Sequence, residues 1–94
     1  MERHLMREIL SKATVGIAGL GGLGSTCAVA LARAGVGRLI LADFDKVETG
    51  NLDRQYYFRS QLGKLKTNAL ADTIGAIDPA IILTLHSIRL DSRN

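Results

Sequence analysis

The stretch Val15-Gly-Ile-Ala-Gly-Leu-Gly-Gly-Leu-Gly24 constrains this chain more than any other part of it. A short apolar run enters a glycine cluster and leaves through an alanine-rich segment. That pattern is a strand, a tight turn and a helix start. Gly19, Gly21 and Gly24 fit G-x-G-x-x-G, with an extra glycine at Gly22. Glycine serves there because a side chain would hold the backbone away from a phosphate, and because such a turn can require positive φ. Amides opening the following helix then point at the phosphate, aided by the positive end of the macrodipole. By itself the stretch specifies a nucleotide and leaves open whether that nucleotide is a redox cofactor or a substrate.

The other elements come in order along the chain. Glu2–Lys12 places Leu5, Ile9 and Leu10 at helical spacing with Arg3, Arg7, Glu8 and Lys12 on other faces, which predicts a short amphipathic helix packed against the domain or a partner subunit. Ala13–Ala18 reads as the first strand and Gly22–Ala34 as the next helix, ended by Gly35-Val-Gly37. Arg38–Ala42 is a continuous apolar strand suited to a buried parallel position. No sustained period runs from Phe44 to Leu62, and a connection this long inside a compact domain is usually functional; short turns are expected, with room for one helical turn. Lys64–Ile77 is a helix with Leu65, Ala69 and Ala76 on one side and Leu70, Ile74 and Ile77 on another, ended by Asp78-Pro79. Ala80–Leu85 is the third strand. This is the first β-α-β-α-β half of a doubly wound, Rossmann-like α/β fold with a parallel sheet, for which right-handed crossovers predict strand order 3-2-1.

A chain of 94 residues is short for such a sheet covered on both faces, so residues 1–94 are expected to be an incomplete part of a single larger domain. Hydrophobic residues make up 47%, enough for a packed core, yet no apolar run approaches the ~20 residues that span a bilayer. The N-terminus mixes both charges and lacks an apolar h-region. With a single cysteine, Cys27, an internal disulfide or a cysteine zinc site is excluded, and a soluble protein of a reducing cytoplasm is expected, with no membrane contact. Cys27 itself is read as a small buried packing residue. His4 and His86 have no clustered partner, and no metal ligand is assigned within the chain. The net charge of +3 is small and dispersed and gives no argument for nucleic acid. Arg54, Arg59, Lys64 and Lys66 lie between Asp53 and Asp72 with no acid among them; on charge alone a solvated loop and helix face is preferred to an anion-attracting surface. Tyr56, Tyr57 and Phe58 are read as core packing beneath the connection rather than as a stack for adenine.

Asp43, at the end of the second strand, is placed to hold ribose hydroxyls, and does so equally well for NAD and for ATP. The connection after it discriminates between the two: Asp43-Phe-Asp-Lys-Val-Glu-Thr-Gly-Asn51-Leu-Asp-Arg54-Gln55, then Gly63-Lys-Leu-Lys66. Together with GxGGLG and the apolar-Asp-Pro before the third strand, this D-x-D-x-V-E, N-L-x-R-Q and G-x-x-K series resembles the adenylating domain of the ThiF/MoeB/HesA family, related to the ubiquitin-activating enzymes, from Ala13 to Leu90. The Gln-Tyr-Tyr-Phe after the arginine and the short N-terminal region look most like the compact enzymes that adenylate the thiamine sulfur carrier ThiS. The resemblance implies an adenylyltransferase in which the C-terminal glycine carboxylate of a small β-grasp carrier protein attacks the α-phosphate of ATP. It implies Arg54 and Lys66 as the cations acting on the transition state. Asn51 and Gln55 would contact the phosphates or order the loop, Gly22 would approach the nucleotide and Asp43 would hold the ribose. Asp45 is read first as loop support and second as a neighbour of the nucleotide.

The family pattern continues into a fourth strand ending in an aspartate that helps hold Mg²⁺; that residue is expected outside residues 1–94, so this piece alone is expected to be inactive. Asp91, only a few residues past the third strand, does not fill that role. The chain departs from the pattern at Gly50, where a serine is common, and in its short N-terminus, which leaves Arg3 and Arg7 as candidates for an arginine reaching into a partner's site. A homodimer or self-association is expected from the exposed edges and apolar surface of an incomplete sheet. The alternatives are a nicotinamide- or flavin-dependent oxidoreductase domain, which gives no reason for N-L-x-R-Q or Lys66, and a non-catalytic nucleotide-binding module.

Overall fold

The computed structural model describes residues 3–52 and 55–88, with side chains from residue 5 onward. Three helices, α1 (Arg3–Ser11), α2 (Gly22–Ala34) and α3 (Lys66–Ile77), alternate with three strands, β1 (Thr14–Ala18), β2 (Arg38–Ala42) and β3 (Ile82–His86). The strands form one parallel sheet in the order β1-β2-β3, with Thr14 opposite Arg38 and Arg38 opposite Ile82. This is the predicted order. The apolar run of β2 explains its central place: Leu39 and Leu41 are fully buried. Small residues on α2, Ala28, Val29 and Ala32, let that helix lie close to the sheet, and Ala69, Leu70 and Ile74 of α3 pack into the same core. Each large aliphatic side chain removed from water here contributes about 1.5–3 kcal/mol.

Three element starts differ from the sequence expectation: β1 begins one residue late, at Thr14 rather than Ala13, and α3 and β3 each begin two residues late. Leu65 is extended (φ −60, ψ 139) and its strand-like bridge to Lys46 delays α3 to Lys66. At the other end of α3, Asp78 Oδ1 accepts the Ala80 amide (3.0 Å) and the Asp78 carbonyl accepts that of Ile81 (3.3 Å), so the Asp-Pro turn extends to Ile81 and β3 begins at Ile82. The expected packed face of α1 is also altered. The Leu10 carbonyl ties α1 to the sheet through the Ala13 and Gly37 amides (2.9 Å each), while Leu5, Met6 and Ile9 remain about half exposed.

Cys27 is exposed rather than buried. It borders an open groove of about 530 Å³ along β1 and α2, shared with Ile17, Leu23 and Leu31. Among the described residues β1 pairs with β2 alone, so nothing covers this side, and Leu23 is 84% exposed. No helix among the described residues is long and apolar enough to cross a membrane.

Candidate nucleotide site

The glycine turn grows out of the end of β1. Gly19 still donates to Ala42 O of β2 (2.8 Å), then turns with φ +86, a conformation that favours glycine. Leu20 is fully buried, and Gly21 opens α2 without a side-chain cap. The first helical bond runs from Ser25 N to Gly21 O (2.9 Å), which leaves the amides of Gly22, Leu23 and Gly24 at the open helix end. Gly24 is required for a different reason: a Cβ there would overlap the Gly19 carbonyl. Gly21 has an ordinary φ of −76, and the atom nearest its would-be Cβ is Gln55 Nε2 at 4.0 Å. The Gly22 carbonyl accepts the Thr26 hydroxyl at 2.7 Å.

Asp43 ties this turn to the connection. Its Oδ2 accepts the Leu20 amide (2.6 Å) and its Oδ1 the Asp45 amide (2.8 Å). Each carboxylate oxygen keeps a further lone pair for a ligand. Asp45 supports the loop through its backbone, its carbonyl accepting the Lys66 amide (2.9 Å), while its side chain is exposed.

The connection then folds back over the turn. Tyr57 is buried and donates its hydroxyl to Leu20 O (2.7 Å), so the Leu20 residue is gripped at its amide by Asp43 and at its carbonyl by Tyr57. Burial, with the Asp43 charge second, pushes the Tyr57 phenol well above its ordinary range, which keeps it a donor. The Tyr56 amide donates to the hydroxyl of the fully buried Ser25 (3.2 Å). Tyr56 and Phe58 were expected in the core, yet they are 39% and 57% exposed. The chain turns tightly at Tyr56, where the Tyr57 amide donates to Gln55 O (2.9 Å), and among the three aromatics Tyr57 alone is buried.

Asn51 Oδ1 accepts the Glu48 amide (2.8 Å) and orders the 3₁₀ turn Thr49–Asn51. The Asn51 carbonyl accepts the Gln55 amide (3.1 Å), which brings Gln55 beside Gly21. Arg54 lies outside the described residues. Lys66 is 6% exposed, with Nζ over the Tyr57 ring at 5.9 Å from its centroid, and no carboxylate among the described residues pairs with it. It borders a polar recess of about 200 Å³ together with Asp45, Lys46, Glu48 and Asn51. The basic run therefore divides: Lys64 pairs with Asp72 on the surface (3.1 Å), Arg59 is exposed and Lys66 turns inward. Arg7 lies beside Gly35, at the opposite end of α2 from the turn.

Sequence reasoning did not single out Ser25, Leu20 or Gln61. Gln61 is 6% exposed; its Oε1 accepts the Phe58 amide (2.9 Å) and its Nε2 donates to Ala69 O (2.9 Å), fixing the connection on α3. A serine at the start of an otherwise alanine-rich helix was the one available signal for Ser25.

A model of the ThiF family matches residues 3–94. Ubiquitin-like modifier-activating enzyme 5 of Caenorhabditis elegans is 39% identical over 83 residues, covering 88% of this chain and 20% of that protein. Among solved structures, the E. coli tRNA N6-threonylcarbamoyladenosine dehydratase TcdA in complex with ATP superposes with a TM-score of 0.92 at 32% identity, over 96% of this chain and 37% of that one. E. coli MccB with ATP gives 0.89 at 32% identity, over 95% and 27%. The chain spans about a fifth of the length of the curated relatives it matches.

Proposed function

Because the chain belongs to the ThiF family, we propose that residues 1–94 are the N-terminal nucleotide-binding part of a larger adenylating domain that consumes ATP to activate a small β-grasp carrier protein of the ThiS type. A carboxylate oxygen of the carrier's C-terminal glycine attacks the α-phosphorus. The new O–P bond forms as the bond to the bridging oxygen of pyrophosphate breaks, and pyrophosphate leaves with its electron pair. The product is an acyl adenylate, and no proton moves.

Negative charge concentrates on the α-phosphoryl oxygens in that transition state, so fixed cations and amides aimed there lower the barrier. Arg54 and Lys66 are the proposed cations. The turn Gly19–Gly24 and Asp43 form the seat, Gly22 and Gly24 contribute amides, and Asp45, Asn51 and Gln55 hold the loop and the nucleotide in register. Mg²⁺ bound with the triphosphate would neutralise charge on the leaving group. Its protein ligand is proposed to lie outside residues 1–94.

One observation carries this reading. The connection folds back on the glycine turn through the Tyr57–Leu20 and Tyr56–Ser25 bonds, and it carries Lys66, which no carboxylate among the described residues pairs, over the ring of the same Tyr57. An ammonium without a carboxylate partner is open to a phosphate, which makes a charge-assisted hydrogen bond with it. A hydride-transfer seat needs no such cation. The ATP complexes of TcdA and MccB support the choice of nucleotide. The complete enzyme is placed in the cytoplasm and as a homodimer, with the Leu5, Met6 and Ile9 stripe of α1 available for a subunit contact.

The test is exchange of labelled pyrophosphate into ATP. The complete protein is expected to show exchange that depends on a carrier with an intact C-terminal glycine, and residues 1–94 alone are expected to show none. Exchange by residues 1–94 alone would remove the incompleteness. Saturable NADH binding without ATP binding by the complete protein would replace the reading with hydride transfer.

A further inference from the structure

Tyr57 joins the glycine turn to the lysine of the connection and touches both. Its hydroxyl donates to Leu20 O (2.7 Å) in a buried bond, and the Lys66 ammonium stands over its ring, 5.9 Å from the centroid. The ring has little room to move: the residue is 4% exposed, and its backbone amide is tied to Gln55 O (2.9 Å).

The hydroxyl bond acts on a peptide plane. Leu20 O belongs to the Leu20–Gly21 peptide, which is trans, and in a trans peptide the carbonyl and the N–H point to opposite sides. Holding Leu20 O on Tyr57 therefore directs the Gly21 N–H away from the hydroxyl. Gly21 precedes the first residue of α2 and has no side chain to resist a turn of that plane. The preceding peptide is held separately, with the Leu20 N–H on Asp43 Oδ2 (2.6 Å). Asp43 and Tyr57 thus fix successive peptides of the turn. Without the hydroxyl the second peptide can turn over, because its buried carbonyl is left unpaired. The amides at the start of α2 then depend on one oxygen of the connection.

The ring acts on a charge. No carboxylate among the described residues pairs with Lys66, and the negative face of the ring is the contact that the structure gives its ammonium. A cation about 6 Å from a ring centroid is attracted modestly. That attraction biases where Nζ rests and does not keep it from a phosphate.

We propose that Tyr57 is a positioning residue with two separable actions: its hydroxyl sets the peptide plane that leads into the helix-start amides, and its ring holds the Lys66 ammonium ready for the α-phosphate. The ring's action rests on the adenylation reading above. The hydroxyl's action requires only that a nucleotide binds at the turn.

The experiment compares the complete wild-type protein with Tyr57→Phe and with mono-, di- and trifluorinated phenylalanine at the same position. Fluorination keeps the ring's shape while weakening the negative charge of its face. Equilibrium Kd for ATP and kcat of carrier-dependent pyrophosphate exchange are read for each. Tyr57→Phe should raise Kd about tenfold, the scale of one buried hydrogen bond, and cost kcat less than that. The fluorinated series should keep the Kd of Tyr57→Phe and lower kcat stepwise, to about tenfold below it in the trifluorinated form. A Tyr57→Phe protein that melts earlier than wild type yet binds ATP as tightly overturns the hydroxyl's action, because a merely structural bond behaves that way. A kcat that stays flat across the fluorinated series overturns the ring's action. Wild type that binds ATP without exchange, while Tyr57→Phe still weakens binding, would sink the adenylation reading and the ring's action with it, and would support the hydroxyl's.

Discussion

Lys66→Ala in the complete protein is expected to cut carrier-dependent pyrophosphate exchange by at least ~10²-fold, the usual scale for removing one transition-state donor. The fold gives this variant a clean reading. Lys66 contributes two separable things: a backbone amide bonded to Asp45 O (2.9 Å) that starts α3, and an ammonium over the Tyr57 ring. Alanine keeps the first, is the best helix former, and removes only the second. The loss should therefore fall on kcat more than on KM, since a cation aimed at charge that develops in the transition state contributes little to binding the ground state. Arg54→Ala, by its proposed role, should show a loss of the same size. Near-normal exchange in both variants would remove the proposed roles.

Gly24→Ala is expected to destabilise the protein by about 3 kcal/mol, the upper end for overpacking, and to abolish saturable ATP binding at concentrations that saturate wild type. The added Cβ falls on the Gly19 carbonyl, which belongs to the backbone and has no rotamer to move into. Relief requires α2 to back away from the end of β1. That motion disturbs the Gly19–Ala42 bond (2.8 Å) and the amides at the helix start together. Gly75→Ala is the matched control. Gly75 is exposed on α3 with nothing within 4 Å of its would-be Cβ, so alanine should raise stability by about 0.5–1 kcal/mol. Urea unfolding and ATP titration of the two variants check the pair; equal stabilities would contradict the close helix–strand contact.

What the sequence made legible was local. The glycine turn, the bounds of α2 and the central place of β2 are set by patterns within a few residues, and Gly35 closes α2 with φ 97 as its position suggested. What it hid depends on distant partners. Lys64 and Lys66 read alike in one basic run, and the Lys46–Leu65 bridge decides that α3 begins at Lys66 and carries that side chain inward. Tyr56, Tyr57 and Phe58 read alike as core aromatics, and a tight turn at Tyr56 with the Tyr57 hydroxyl bonded to Leu20 O puts Tyr57 alone in the core. Cys27 read as buried because its helix is alanine-rich, yet burial on that face depends on what lies beyond the free side of β1. Asp43 was legible as an acid at the end of β2. Its grip on Leu20 was not, because the partner is a backbone amide that carries no sequence signal.

The central claim is that this seat delivers the α-phosphate of ATP to a carboxylate. The most direct measurement labels the carrier's C-terminal carboxylate with oxygen-18, runs the complete protein with ATP, and traps the activated carrier with hydroxylamine. Attack at the α-phosphorus leaves one labelled oxygen in AMP, with unlabelled pyrophosphate as the other product. Label appearing in inorganic phosphate, with ADP formed, would place the attack at the γ-phosphorus and contradict the account.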